Sequence, residues 1–194
     1  MLVREHSDYP RIASAVKDIA SSVREWTGVI YRSAPPKWST STNLLTGAGS
    51  FKAGGRFNAA GSFPMVYGST TPELAMIESL AFQRRAGLPV EHAMPLVFKA
   101  ISVKVERLLD LTNRDLLAAV GLTQGDLAEA WWQARSRGEE AITQAVGRAT
   151  HASRLQALQV PSAHCSDRGT NILLLPDHIE PPSELKVLRH SRKC

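Results

Sequence analysis

Covalent and metallic staples are scarce in this sequence. It has two cysteines, Cys165 and Cys194, the second at the last position, and no Cys-x-x-Cys. That excludes a disulfide framework and a thioredoxin-type redox pair. Six histidines are present, but none are spaced as zinc ligands. No apolar run approaches the roughly 20 residues of a membrane span. The opening stretch "MLVREHSDYP" lacks the apolar middle of a secretory signal, so the expected compartment is the cytosol, without membrane attachment. No Gly-Lys-Ser/Thr occurs, which excludes a P-loop, and no Gly-x-Ser-x-Gly, which excludes a hydrolase elbow. Repeats, low-complexity tracts and a linker between domains are also missing.

What is there suits an ordinary core. The chain has 194 residues, of which 43% are hydrophobic and 21% charged. One domain of that size buries enough apolar surface to need no staple. Formal net charge is +5 and the pI is about 9.5, which invites an anionic partner. The basic residues are scattered, however, and only "RHSRKC" at the tail forms a cluster. Nucleic-acid modules gather charge on one element, so direct nucleic-acid binding is not expected.

The apolar pattern changes period along the chain. Ile12, Val16, Ile19, Val23 and Trp26 recur at helical spacing, which predicts a helix over 10–27 ended by Gly28. "VIYRS" and "PMVYGS" read as short strands separated by a loop-like segment rich in Ser, Thr and Gly. "TTPELAMIESLAFQRRAG" reads as a helix, with Thr70 or Thr71 as N-cap, Pro72 in the first turn and Gly87 as terminator. "MPLVFKAISVKVERLLDL" predicts one long or two short strands. The stretch from Asn113 to Ser153 is helical, with breaks at Gly121 and Gly138 and a cap at Thr123. "ALQVPS", "TNILLLP" and "LKVLRH" close the chain as strands. Strands at both ends and helices between them are not regular β-α-β alternation. The expected class is α+β, a single compact domain with a mixed, mainly antiparallel sheet.

Three residues break simple packing rules. Arg56 follows Gly54 and Gly55; glycines let the backbone approach a ligand closely, and a guanidinium binds phosphate as a fork. A flexible turn is the plainer reading. The segment "GAGSFKAGGRFN" is no dinucleotide fingerprint, since Lys52 stands where the third glycine is required. Glu78 shares a helix stripe with Leu74, Ile77 and Ala81, where a carboxylate is costly unless it is partnered or functional. It could equally be a stripe-edge side chain that reaches water or Arg85. Tyr67 ends an apolar strand, where a core ring with a surface hydroxyl would be unexceptional. Arg32 lies within a strand and could point to either face. Turn formation alone would explain Ser162 and Asn171, and His164-Cys165 reads as a structural pair of neighbours.

As an ordered set these stretches resemble the RES-domain family, named for an arginine, a glutamate and a serine. The motifs are "YR", "GAGS…GGRFN", "VYGSTTPELAMIESL", "LDLT", "ALQVPSA" and "TNILLLP", covering about Val29 to Leu188. The resemblance implies a division into an N-terminal helical extension over 1–28 and a RES domain over 29–194. It implies a fold similar to ADP-ribosyltransferases and the toxin of a bacterial toxin–antitoxin pair. Its antitoxin would carry an Xre-like helix-turn-helix region and cover the active site. It further implies an enzyme that takes NAD as substrate, without a metal, and passes ADP-ribose to water, phosphate or a host protein.

By the same resemblance Arg32, Tyr67 and Glu78 are the catalytic candidates. Arg32, Arg56, Tyr67, Ser162 and Asn171 are the candidates for holding NAD. Phe57 stands where most relatives have tryptophan. NAD asks for such a set: a cation fork for the pyrophosphate, an aromatic face for nicotinamide, and a carboxylate near the ribose as positive charge develops there. The rival expectation, from another class, is a non-catalytic module that binds a nucleotide or nucleic acid through its basic surface.

Overall fold

The computed structural model describes residues 3–188. The tail cluster "RHSRKC" lies outside the described residues. The chain opens with helix α1 (Tyr9–Asp18) and strand β1 (Arg24–Ala34), then helices α2 (Ser41–Leu45) and α3 (Ala48–Ala53). Strand β2 (Val66–Ser69) leads into α4 (Pro72–Ser79) and α5 (Ala81–Ala86), followed by the long strand β3 (Val97–Asp110). Four helices come next: α6 (Arg114–Ala119), α7 (Gln124–Ala128), α8 (Trp131–Ser136) and α9 (Ile142–Ala152). Strands β4 (Ala157–Pro161), β5 (Thr170–Leu174) and β6 (Glu184–Val187) finish the described chain. The result is a mixed α+β domain built on one sheet.

The sheet runs β1-β2-β5-β4-β3-β6, and β1 also pairs with β3. That last pairing joins the ends, so five strands form a ring. β6 and β4 share the other edge of β3, at residues 101–104 and 108–110. Among the described strands only the β3–β4 pair is parallel. A parallel pair needs a long crossover, and α6 to α9 supply it. The helix-rich middle of the sequence is therefore one connection, not a separate unit.

Each strand divides its side chains between two cores. Leu173 joins a cluster with Ile12, Val16, Val146 and Leu158, while its neighbours Ile172 and Leu174 join Ile30, Ile101 and Val103. Both faces of β5 are covered, which is why "ILLL" is an unbroken apolar run. α1 packs on α9, and its Ile12 and Val16 are fully buried.

Two helices depart from expectation. The helix expected over 10–27 stops at Asp18, and β1 begins at Arg24. Trp26 is a strand residue opposite Val105, and pairing of β1 with β3 overrides the helical spacing. Gly28 is not a helix terminator; it makes room for the Trp26 indole, which would lie 2.8 Å from a Cβ there. The second helix breaks at Leu80 into α4 and α5. Ser79 Oγ donates back to the Ala75 carbonyl at 2.5 Å, a bond that bends helices. Thr71 caps α4 by accepting from Leu74 N, and Gly87 ends α5 with φ of 64°.

Candidate active site

The site grows from the C-terminal turn of α4. Glu78 Oε1 accepts two hydrogen bonds, from Ser162 Oγ and from Asn171 Nδ2, each at 2.7 Å. Both donors come from the sheet: Ser162 follows β4 directly and Asn171 lies in β5. The backbone N–H groups of His164 and Cys165 donate to the Ser162 hydroxyl at 3.0 and 3.1 Å, which fixes its direction. Asn171 Oδ1 accepts from Ser69 Oγ at 2.7 Å, so the amide presents its N–H to Glu78. The carboxylate is thus anchored through one oxygen. Its side chain keeps 29% of its surface exposed, and Oε2 stands 3.9 Å from His164 Nε2. This is neither a solvated stripe-edge glutamate nor an unpartnered buried charge.

Tyr67 organises the Gly-Gly-Arg turn. Its hydroxyl accepts from Phe57 N at 3.0 Å and donates to Asn58 Oδ1 at 2.8 Å. Asn58 is fully buried and donates to the carbonyls of Ser50 and Phe63, both at 3.0 Å. Gly55 lies so close that a Cβ there would meet the Tyr67 hydroxyl at 2.5 Å. From behind, Gln144 Nε2 of α9 donates to the Gly55 carbonyl at 2.9 Å. Burial pushes the Tyr67 phenol well above its ordinary value, against the opposing effects of the Phe57 N–H, Arg56 and Arg32.

The two arginines flank Tyr67. Arg32 Nη1 donates to the Tyr67 carbonyl at 2.7 Å. Arg56 Nη1 reaches the Pro161 carbonyl at 3.4 Å, and its guanidinium lies 5.2 Å from the Phe57 ring centre. Among the described residues, Nε of each arginine is buried without a hydrogen-bond partner. Burial pulls both arginines down from their ordinary value; Tyr67 opposes the shift at Arg32, and Glu78 with Tyr67 opposes it at Arg56. Desolvated guanidinium groups with unused donors fit an anionic ligand.

Two cavities meet at Glu78 and Tyr67, which line both. The smaller, about 250 Å³, is walled by Tyr31, Arg32, Ser69 and Asn171. The larger cleft, about 540 Å³, contains Arg56, Arg85, Trp132 and His164. A groove of about 470 Å³ extends from Arg32 past Trp38 and Asn43 to Lys52. All six residues singled out in the sequence, Arg32, Arg56, Tyr67, Glu78, Ser162 and Asn171, therefore gather in one region. Sequence reasoning missed Asn58, Ser69 and His164. Asn58 stands two positions after Arg56, and its complete burial is a signal only the fold reveals. His164 is one of six histidines without a pattern. No three His, Cys, Asp or Glu side chains gather as metal ligands among the described residues. No helix among them is long and apolar enough to cross a membrane.

The chain is similar to known proteins. The RES domain family model matches residues 29–192. NAD(+) phosphorylase MbcT of Mycobacterium bovis is 28% identical over 141 residues, 72% of this chain and 69% of that protein. MbcT of Mycobacterium tuberculosis matches to the same extent. The crystal structure of the M. tuberculosis MbcT-MbcA toxin-antitoxin complex superposes with a TM-score of 0.71 at 23% identity. That superposition covers 92% of this chain and 90% of that one, and it shows a shared fold.

Proposed function

Since this chain belongs to the RES-domain family, we propose that it is the toxin of a toxin–antitoxin pair and acts by consuming NAD. It cleaves the bond between nicotinamide and ribose and passes ADP-ribose to inorganic phosphate. The observation that carries this reading is Glu78, held by Ser162 and Asn171 at the wall shared by two cavities. The two half-buried arginines that flank Tyr67 add support. The printed name of the MbcT relative, an NAD(+) phosphorylase, favours phosphate over water or a protein side chain as acceptor.

The roles follow from charge and shape. Arg32 and Arg56 hold the pyrophosphate through the N–H groups of their guanidinium ends. Nicotinamide enters the smaller cavity, where Tyr31 and Tyr67 offer rings and Ser69 and Asn171 offer polar groups to its amide. As the glycosidic bond lengthens, positive charge builds on the ribose. Glu78 meets that charge or grips the 2'-hydroxyl, and so binds the transition state more tightly than the substrate. Ser162 and Asn171 keep the carboxylate aimed and are not nucleophiles. Nicotinamide leaves as a neutral ring, so the step needs no metal.

The companion is an antitoxin with an Xre-like helix-turn-helix region that covers this cleft, and the working compartment is the cytoplasm. Residues 29–194 carry the RES core, and residues 1–28 add an extension whose helix α1 supports α9 and whose last residues, from Arg24, begin strand β1 of the core sheet. The test is to incubate purified protein with NAD, with and without phosphate and with cell lysate. Nicotinamide, ADP-ribose products and labelled protein are then followed. Phosphate-dependent release of nicotinamide supports the reading. Labelled protein would shift it to ADP-ribosyl transfer. Salt-sensitive DNA or RNA binding without turnover would replace it with the non-catalytic module.

A further inference from the structure

We infer that the groove beside Arg32 takes the adenosine half of NAD, with the Trp38 indole stacked on the adenine. The inference rests on the reading of the chain as an NAD-cleaving enzyme. It adds where the far half of the substrate lies and which side chain selects a dinucleotide.

Arg32 stands at the joint between two spaces. Arg32 and Ser33 line the smaller cavity and also the groove of about 470 Å³. NAD has the same plan, a pyrophosphate in the middle with a nucleoside on each side. With nicotinamide in the cavity and the pyrophosphate on Arg32, the second nucleoside is directed into the groove. The sizes fit this order. The cavity of about 250 Å³ suits the single pyridine ring. The groove falls within the range of roughly 300–1,000 Å³ usual for ligand sites.

The chain leaving β1 builds one wall of the groove. β1 ends at Ala34, and Pro36–Trp38 form a 3-10 turn. Trp38 N donates to the Pro35 carbonyl at 2.8 Å, and Ser39 Oγ donates to the Pro36 carbonyl at 2.8 Å. These bonds fix the backbone that carries the indole. Trp38 keeps 55% of its surface exposed and lines the groove. Its ring offers a broad apolar face of the kind on which bases stack. Helix α3 lines the groove with Ala48, Gly49 and Lys52. A Cβ on Gly49 would meet nothing within 4 Å, so this part of the wall leaves room for a flat base. Among the described residues lining the groove, Arg32 and Lys52 are charged and none is acidic. That balance favours a nucleoside that brings its share of the pyrophosphate charge with it.

The larger cleft is the weaker host. Its indole, Trp132, is 37% exposed and has the Arg85 guanidinium over its ring at 4.3 Å. Over Trp38 the cation is Lys37 Nζ, 5.5 Å from the ring centre. Glu78 and Glu129 both line the larger cleft and would repel the phosphate attached to adenosine. With adenosine in the groove, the larger cleft stays open for the acceptor to reach the ribose beside Glu78.

The test compares wild type, Trp38→Ala and Trp38→Phe as full-length proteins. Calorimetry measures binding of ADP-ribose, which keeps the adenosine and pyrophosphate but has no nicotinamide to lose. Initial rates of nicotinamide release give KM and kcat for NAD. The expected result is a rise of about tenfold in Kd for ADP-ribose with Trp38→Ala, and a Kd within about threefold of wild type with Trp38→Phe. KM for NAD should rise about tenfold with Trp38→Ala, while kcat stays within about twofold. Unchanged ADP-ribose binding by folded Trp38→Ala would overturn the groove and leave the NAD-cleaving reading standing. If that variant instead bound its co-expressed antitoxin more weakly, the indole would belong to the partner interface. A loss with phenylalanine equal to that with alanine, or a matching fall in kcat, would give Trp38 a structural role and also overturn the inference. Wild-type protein that binds ADP-ribose through Trp38 but releases no nicotinamide would overturn the cleavage reading and keep the groove. Neither binding nor release would overturn both.

Discussion

Asn171 donates from Nδ2 to Glu78 Oε1 at 2.7 Å, and the Ser69 hydroxyl fixes the amide's other end at 2.7 Å. A residue of β5 thus sets the direction of a carboxylate on α4. Asn171→Ala removes one of the two donors to Oε1 and leaves Ser162 as the other. The expected outcome is a fall in kcat of roughly 10- to 100-fold with KM for NAD little changed, measured by steady-state nicotinamide release. A large rise in KM with kcat intact would assign Asn171 to binding instead of aim.

Arg56 makes its contribution through shape as well as charge. Arg56→Lys keeps the cation but removes the planar fork and the buried Nε donor. KM for NAD should rise by about tenfold or more. Unaltered KM and kcat would show that Arg56 does not grip the pyrophosphate.

Tyr67→Phe should loosen the Gly-Gly-Arg turn. It strands Asn58 Oδ1 and the Phe57 N–H, which the phenol satisfies at 2.8 and 3.0 Å. Stability should drop by about 1–3 kcal/mol in urea unfolding, since buried polar groups lose their partner. The raised phenol adds a pH signature. Above the ordinary value of 10.0 the unfolded chain loses this proton while the native chain keeps it. The unfolded state then binds fewer protons, so wild-type stability falls as pH rises past that value. The phenylalanine variant lacks this contribution, and the gap between the two proteins should narrow in alkali.

Gly147 sits mid-helix in α9, where alanine would normally stabilise by roughly 1 kcal/mol. Here a Cβ would lie 1.7 Å from the Phe57 carbonyl oxygen. Gly147→Ala should therefore destabilise by about 1–3 kcal/mol and lower activity, because it pushes on the turn that carries Arg56. Melting curves and NAD turnover on the same variant check both parts; a more stable, fully active variant would contradict the contact.

Much of this was legible in the sequence, for identifiable reasons. The "TTPELAMIES" helix carries its own cap and proline, and "TNILLLP" carries the mark of a strand covered on both faces. The order of motifs brought Arg32, Arg56, Tyr67, Glu78, Ser162 and Asn171 into view. Trp26 was misread because a helical spacing of apolar residues can be satisfied by a strand once β3 offers a partner. Asn58, Ser69 and His164 stayed hidden because their meaning lies in what they touch across 9, 102 and 86 positions of chain. The first two distances in sequence separate Asn58 from Tyr67 and Ser69 from Asn171, and the third separates His164 from Glu78.

The central claim concerns the charge of Glu78, and Glu78→Gln tests it most directly. Glutamine keeps an oxygen able to accept from Ser162 and Asn171, so both hydrogen bonds at 2.7 Å can persist. The change also removes a negative charge that offsets the desolvation of Arg56, so stability should fall, by no more than about 2 kcal/mol. Nicotinamide release should nevertheless fall by at least about 100-fold, because the developing positive charge on the ribose loses its counterpart. Thermal melting and NAD turnover are to be measured on one preparation. The account predicts a melt lowered only slightly with turnover nearly abolished; a folded variant with undiminished turnover would contradict it.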